Sequence, residues 1–164
     1  MVEDYILSSR KNYGSKAVPL SPHQRSLMQA FFPAEILDQA RLVLLRGERI
    51  QDPPFYGAAL MMGFKNLPSF ADTTAVTFVD VIVLQEEFTD DLLFHELVHA
   101  VQYAQLGTRE FASRYVNGFI NGGSYENIPL ERQACELEQR YSASKPQAFS
   151  VVDEVKQAIV LGKL

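Results

Sequence analysis

The spacing of apolar and polar residues changes several times along this chain, and each regular stretch predicts a helix or a strand. Residues 75–85, AVTFVDVIVLQ, are rich in β-branched and aromatic types and predict a strand. Residues 90–106 are apolar on nearly every side of a helical wheel, which predicts a buried helix. Further helices are predicted over residues 108–121, from about residue 128, and over residues 149–161. Helices and strands come first and helices dominate afterwards, an order that predicts an α+β fold.

The domain organisation follows from length and from local start and stop signals. At 164 residues the chain fits one domain. Residues 1–20 are mostly polar and predict a loosely attached N-terminal arm, so residues 21–164 are interpreted as the domain itself. Cap and turn residues predict further short elements there: a helix over 21–32, a helical turn over 33–37, a strand over 41–45 and a loop over 51–56.

Composition narrows the choice of partners and compartment. The net charge is −5 and the chain has no basic run, so we expect no nucleic-acid partner. The first residues lack an apolar signal-peptide core and no stretch reaches the length of a membrane span, so we expect no membrane partner and a cytoplasmic location. The single cysteine, Cys135, excludes an internal disulfide, and we interpret it as a buried or half-buried structural thiol rather than a zinc ligand.

Residues 95–99 of the predicted helix read HELVH and contain the candidate metal ligands and the candidate general base. Four residues make just over one helical turn, so His95 and His99 lie on one face and can reach a single metal ion. Glu96 follows the first histidine and is placed to take a proton from water, as the general base of a zinc hydrolase does. Thr89 as an N-cap and Gly107 as a stop support the helix that this chemistry requires.

A catalytic zinc ion usually takes three protein ligands, so a third must come from elsewhere. His23 is the remaining histidine, and its position at a helix start marks it as a surface residue. Carboxylates on the helix that begins near residue 128 are therefore the candidates. On a helical wheel Glu131 and Glu138 flank the core face, whereas Glu136 points away from it. From spacing alone, Glu131 and Glu138 both remain possible ligands.

The two motifs together resemble a known family. HELVHAVQY, followed about thirty residues later by NIPLERQACE, is similar to the gluzincin metallopeptidases, and especially to small bacterial zincin-like domains with HELVHxxQ and a later ExxA. The resemblance covers roughly residues 76–141. It implies that His95, His99 and Glu131 bind zinc, that Glu96 is the catalytic base, and that Ala134 is the small residue of the ExxA pattern.

The same resemblance implies a fold. It is a zincin-like single domain with a small antiparallel or mixed sheet packed on a buried HExxH helix, followed by further C-terminal helices. In such proteins the strand before the motif helix commonly forms the rim of the cleft, where an extended peptide can pair with it. A central core strand is the equally weighted alternative for residues 75–85.

The resulting hypothesis is a zinc-dependent hydrolase, most simply a peptidase acting on a peptide or protein substrate. The alternative is a non-catalytic zinc-stabilised binding module, and hydrolysis of a non-peptide amide is a third possibility. The intact Glu96 favours the hydrolase, because a structural zinc site needs no base. Tyr103, Tyr115 and Tyr125 are candidates for stabilising an oxyanion, although each is interpreted first as a core residue.

Overall fold

We describe the chain from a computed structural model that covers residues 1–63, 69–86, 89–143 and 147–164. These residues form an α+β fold of helices around a small sheet. The helices are α1 (Val2–Gly14), α2 (Pro22–Met28), α3 (Ala34–Gln39), α4 (Tyr56–Met61), α5 (Asp90–Leu106), α6 (Thr108–Gly122), α7 (Pro129–Ser142) and α8 (Val151–Val160). The strands are β1 (Val18–Pro19), β2 (Arg41–Leu44), β3 (Ala75–Phe78) and β4 (Val81–Leu84). Short 3₁₀ helices lie at Phe70–Asp72 and Tyr125–Asn127. The sequence predicts most of these elements, but it predicts neither the helices α1 and α4 nor the short strand β1.

The four described strands form one mixed sheet in the order β1-β2-β4-β3. β2 and β4 run parallel, whereas β1 pairs antiparallel with β2, and β3 pairs antiparallel with β4. Successive side chains of a strand point to opposite faces. Ile82 and Leu84 accordingly enter the apolar core that contains α5, while Val81 and Val83 enter a second core on the other face. β3 is an edge strand of this sheet.

The single strand predicted over residues 75–85 is instead a hairpin of β3 and β4. Its tight turn is formed by Val79 and Asp80, and Val79 has a positive φ of 64°. Such turns usually have glycine or asparagine at the position that Val79 occupies, so Asp80 alone is a weak turn signal in the sequence. The Asp80 carboxylate accepts two hydrogen bonds from the Arg10 guanidinium, at 2.5 and 2.7 Å. This contact from α1 holds a turn that local residue preferences would not favour.

Residues 1–20 also differ from the predicted loose arm, because most of them form α1. Ile6 and Ser9 are buried, and the Tyr5 ring stacks on Phe70 with centroids 5.9 Å apart. Tyr13 stacks on Phe78 of β3 at 5.8 Å. These residues recur at helical spacing, which places them on the face of α1 that covers the sheet. Their polar neighbours lie on the other face and conceal this pattern in the composition.

α5 runs through the middle of the molecule, and its ends are set by local signals. The Thr89 hydroxyl accepts a hydrogen bond from the Leu92 amide at 3.3 Å, and Gly107 ends the helix with a positive φ of 76°. Every residue from Leu93 to Tyr103 is buried against the sheet or other helices. Although α5 is this apolar, no described helix has both the length and the apolarity needed to cross a membrane.

Candidate metal centre

His95 and His99 lie one turn apart on α5, and their Nε2 atoms are 3.1 Å apart. Both residues are almost fully buried, with 8% and 6% of their surfaces exposed. Burial of two imidazoles is costly unless their nitrogen atoms are bound to something. The pair therefore requires a partner on the side where the two Nε2 atoms meet.

α7 brings a carboxylate to this point. Pro129 lies in the first turn of α7, and Glu131 follows in the same turn. Glu131 Oε2 is 3.4 Å from His95 Nε2 and 3.3 Å from His99 Nε2. Within the described part of the chain, this oxygen is buried and has no hydrogen-bond partner. A buried carboxylate oxygen without a partner is rare and unfavourable, so its position indicates a place for a cation.

The opposite edges of the two imidazole rings are already hydrogen-bonded. His95 Nδ1 lies 2.9 Å from Glu138 Oε2, and His99 Nδ1 lies 2.8 Å from Gln102 Oε1. Carboxylate and amide oxygens only accept hydrogen bonds, so each Nδ1 carries a proton. In a neutral imidazole the other nitrogen then presents a lone pair. With both rings neutral, two such lone pairs and the Glu131 carboxylate would converge on one point.

A tetrahedral metal ion fits the spacing of these three atoms. Ligands at about 2.0 to 2.1 Å from a tetrahedral zinc ion lie about 3.3 to 3.4 Å from one another. The separations in this chain are 3.1, 3.3 and 3.4 Å. Two imidazoles and a carboxylate are also a ligand set found in catalytic zinc sites, where the fourth position stays free of protein. Both the distances and the donor types are compatible with zinc.

The charges around the centre favour a positive charge in it. Burial opposes a charge on His95, but its contacts with Cys135, Glu131 and Glu138 outweigh this effect and raise the pKa of His95 to about 12. Burial likewise opposes a charge on Glu131, yet the neighbouring His99 and His95 lower its pKa well below the ordinary value. The metal-free centre therefore holds an ionised carboxylate beside an imidazole that retains its proton.

The other candidate residues lie in different places. Glu138 binds the far edge of His95, while Glu131 faces both histidines. Cys135, interpreted from the sequence as a buried or half-buried structural thiol, lies on α7 at the boundary between half-buried and exposed. Its sulfur and a Glu138 oxygen lie within 4.8 Å of a ring nitrogen of His95 and form a second group able to hold a metal. His23 is exposed at the start of α2, as expected of a surface residue.

Glu96 is buried beside the centre, with 4% of its surface exposed, and the edge strand holds it in place. The Thr77 hydroxyl on β3 lies 2.6 Å from Glu96 Oε2 and 3.1 Å from the Glu96 carbonyl oxygen. A hydroxyl that donates to the carboxylate limits its rotation and leaves the other carboxylate oxygen available. α5 and β3 therefore fix Glu96 together.

A cleft of about 690 Å³ gives access to His95 and Glu96. Its walls come from residues 69–75, from the first half of α5 and from residues 124–126, and Glu138 also lines it. Buried Gln85 holds the first wall, because its Nε2 donates to the carbonyl groups of Phe70, Ala71 and Thr73, at 2.9 Å in the case of Phe70. The cleft is large enough for a small ligand or for a few residues of an extended peptide.

The three tyrosines that the sequence suggested as oxyanion donors differ in position. Tyr125 lines the cleft together with His95 and Glu96. Tyr103 is buried and stacks on Phe111 at 3.7 Å, as a core residue does. Tyr115 also stacks on Phe111, at 5.9 Å. Burial and the nearby Glu131 carboxylate raise the pKa of Tyr125, so its hydroxyl keeps its proton and can act as a donor.

Sequence reasoning assigned no role to two polar residues of this region, Thr77 and Gln102, although Gln102 is the glutamine of the HELVHxxQ pattern. Each is a single polar residue within an apolar stretch, Thr77 in AVTFV and Gln102 in HAVQY. Buried polar side chains are usually hydrogen-bonded, so an isolated one in a buried element is a usable signal. Its partner, however, lies on another element and cannot be read from local spacing.

Comparison of this chain with protein-family models, with curated proteins and with solved structures finds no match. The site is therefore interpreted from its own residues.

Proposed function

We propose that this protein is a zinc-dependent hydrolase of the gluzincin type, most simply a peptidase with a zincin-like fold. One observation carries the proposal: the buried Glu131 Oε2, which has no hydrogen-bond partner among the described residues, lies 3.3 to 3.4 Å from the Nε2 atoms of His99 and His95. Glu96 directly follows His95 on α5. His95, His99 and Glu131 would hold the ion. Glu96 is a further buried carboxylate at the wall of the open cleft, and it is not one of these ligands. A zinc site with a purely structural role would not need such a carboxylate.

Zinc, when bound at such a site, polarises a carbonyl group and makes water more acidic. The chain's own residues supply the remaining functions. Glu96 accepts a proton from the attacking water and passes it to the leaving amine, the usual role of a positioned general base. Thr77 keeps the Glu96 carboxylate in one orientation. Tyr125 lines the cleft with its proton retained, and it is our candidate for donating a hydrogen bond to the oxyanion.

A peptide substrate is favoured by the position of β3. This strand is an edge strand, and the segment that leads into it, Thr73 to Ala75, forms a wall of the cleft. An extended peptide can add to a sheet edge through main-chain hydrogen bonds. In that position its carbonyl groups pass close to His95 and Glu96, which line the same cleft. Hydrolysis of a non-peptide amide is the outcome to consider if no peptide is cleaved.

The experiment that tests this function is cleavage of an unstructured peptide library before and after removal of metal. The expected result is cleavage that a chelator abolishes and that one equivalent of zinc restores. Zinc binding without cleavage of any peptide would favour the alternative, a zinc-stabilised module without catalysis. Cleavage that persists without zinc would contradict the proposal.

Replacing Thr77 with valine is expected to lower the rate of hydrolysis roughly tenfold, because a hydrogen bond to a charged group is lost. Valine has nearly the shape of threonine, so the fold and the zinc content should not change. Steady-state kinetics with a cleaved peptide measures this effect, which should fall on kcat. Ser113→Ala, which removes a hydroxyl from an exposed position on α6 away from the cleft, is the control and should leave kcat unchanged. Equal rates for Thr77→Val and wild type would show that Thr77 does not orient Glu96.

Zinc binding is expected to release at least about one proton per ion at pH 8. The pKa of His95 is raised to about 12 without metal, so the site still carries a proton at this pH. Because the proton occupies the metal-free state, apparent zinc affinity should rise with pH between about 7 and 9. Calorimetry in buffers of different ionisation enthalpy counts the released protons. A count of zero, or an affinity that falls with rising pH, would contradict this result.

A further inference from the structure

Gln102 is fully buried on α5, three residues after His99, and all of its hydrogen-bonding groups are occupied. Its Oε1 lies 2.8 Å from His99 Nδ1. Its Nε2 donates to the Leu130 carbonyl at 3.0 Å and to Gln133 Oε1 at 3.0 Å. The Gln102 side chain thus contacts His99, a proposed ligand on α5, and the backbone carbonyl of Leu130, the residue that precedes Glu131 on α7.

The orientation of this amide is fixed from the far side. A carbonyl oxygen only accepts, so the Leu130 carbonyl requires the amino group of Gln102 to face it. Gln133 adds a second constraint, because its own Nε2 donates to the Glu154 carbonyl at 3.3 Å and leaves its oxygen for Gln102. Gln102 Oε1 must therefore face His99, where it accepts the Nδ1 proton. In the neutral ring, that proton leaves a lone pair on His99 Nε2.

We propose that Gln102 is a positioning residue that sets the tautomer of His99 and ties it to the turn of α7 that carries Glu131. The position requires a side chain that donates on one side and accepts on the other. An amide of this length does both, whereas a carboxylate only accepts and an aliphatic side chain does neither. This inference rests on the proposed function where it concerns zinc, but the tautomer of His99 is a property of the metal-free protein as well.

The proposal explains why the two histidines have different supports. Glu138, which holds His95, is half-buried at the cleft, where a charged carboxylate remains partly hydrated. Gln102 is buried beside a carbonyl oxygen, where a carboxylate would leave that carbonyl without a donor. A neutral amide both accepts the His99 Nδ1 proton and donates to the Leu130 carbonyl. Partners of this kind, behind the ligands, commonly change metal affinity 10- to 100-fold when they are removed.

The test compares Gln102→Met, Gln102→Glu and wild type by zinc competition with a chromophoric chelator. Gln102→Met removes the acceptor for His99 and is expected to weaken zinc binding about 10- to 100-fold. Gln102→Glu keeps that acceptor and is expected to bind zinc more tightly than Gln102→Met. Val155→Ala, a core change on α8, serves as a control for lost stability and should keep wild-type affinity. Gln139→Met, an exposed change on α7, controls for the substitution itself.

A spectroscopic signature separates positioning from simple stabilisation. In long-range ¹H–¹⁵N spectra of the metal-free protein, His99 Nδ1 is expected to carry a proton in wild type and in Gln102→Glu. In Gln102→Met that proton should move or exchange faster with water. The proposal is overturned if Gln102→Met binds zinc as tightly as wild type, if Val155→Ala weakens binding equally, or if the His99 signal does not respond to the variants. If wild type binds no zinc, the proposed function fails while the His99 signal still decides the role of Gln102.

Discussion

Glu96→Gln is expected to keep its zinc and its fold and to lose at least about 100-fold in hydrolytic rate, the usual contribution of general acid–base catalysis. Glutamine is nearly isosteric with glutamate, and its oxygen can still accept the Thr77 hydrogen bond. It cannot accept a proton from water at neutral pH. Metal content and activity should therefore separate, with full zinc by elemental analysis and a strongly reduced kcat on a cleaved peptide.

The matched control for Glu96→Gln is Glu110→Gln, which removes a carboxylate from the exposed face of α6. It should retain wild-type activity. Equal cleavage by Glu96→Gln and wild type would rule out Glu96 as the base. A loss of zinc in Glu96→Gln would instead show that Glu96 supports the metal centre rather than the chemistry.

Glu131→Gln is expected to weaken zinc binding by more than about 100-fold, because it removes a charged ligand rather than a partner behind one. Glu131 Oε2 lies within 3.4 Å of both Nε2 atoms, and among the described residues no other carboxylate lies within this distance of both. Glu136→Gln, on the exposed side of the same helix, should leave affinity unchanged. Competition with a chromophoric chelator gives both values.

Glu138→Gln distinguishes the two carboxylates that spacing alone leaves open. Its carboxylate lies at His95 Nδ1, on the far edge of the ring, so its loss should weaken binding less than the loss of Glu131. A larger effect of Glu138→Gln than of Glu131→Gln would mean that the ion lies on the Cys135 side of His95. The assignment of Glu131 as the third ligand would then be wrong.

Local signals were sufficient for α5, because its N-cap and its stop lie within the sequence of the helix itself. Thr89 and Gly107 predict a helix over residues 90–106, and α5 spans Asp90–Leu106. The hairpin of β3 and β4 was not predictable in this way. Val79 adopts a turn conformation unusual for its type, and the contact between Asp80 and Arg10 that holds the turn joins residues distant in sequence.

The proposed ligands show the same limit. Helical spacing places His95 and His99 on one face of α5, and the distance of 3.1 Å between their Nε2 atoms agrees with it. Spacing on α7 cannot separate Glu131 from Glu138, since seven residues are two turns and both side chains lie on similar faces. Which of them meets the histidines depends on how α7 crosses α5, and that is decided by packing.

The central claim is that one zinc ion binds between α5 and α7, and crystals grown with zinc test it most directly. Anomalous difference density at the zinc absorption edge should show one strong peak per chain, about 2.0 to 2.2 Å from His95 Nε2, His99 Nε2 and a Glu131 oxygen. A peak between Cys135 and Glu138, or no peak near α5 in zinc-replete crystals, would contradict the account.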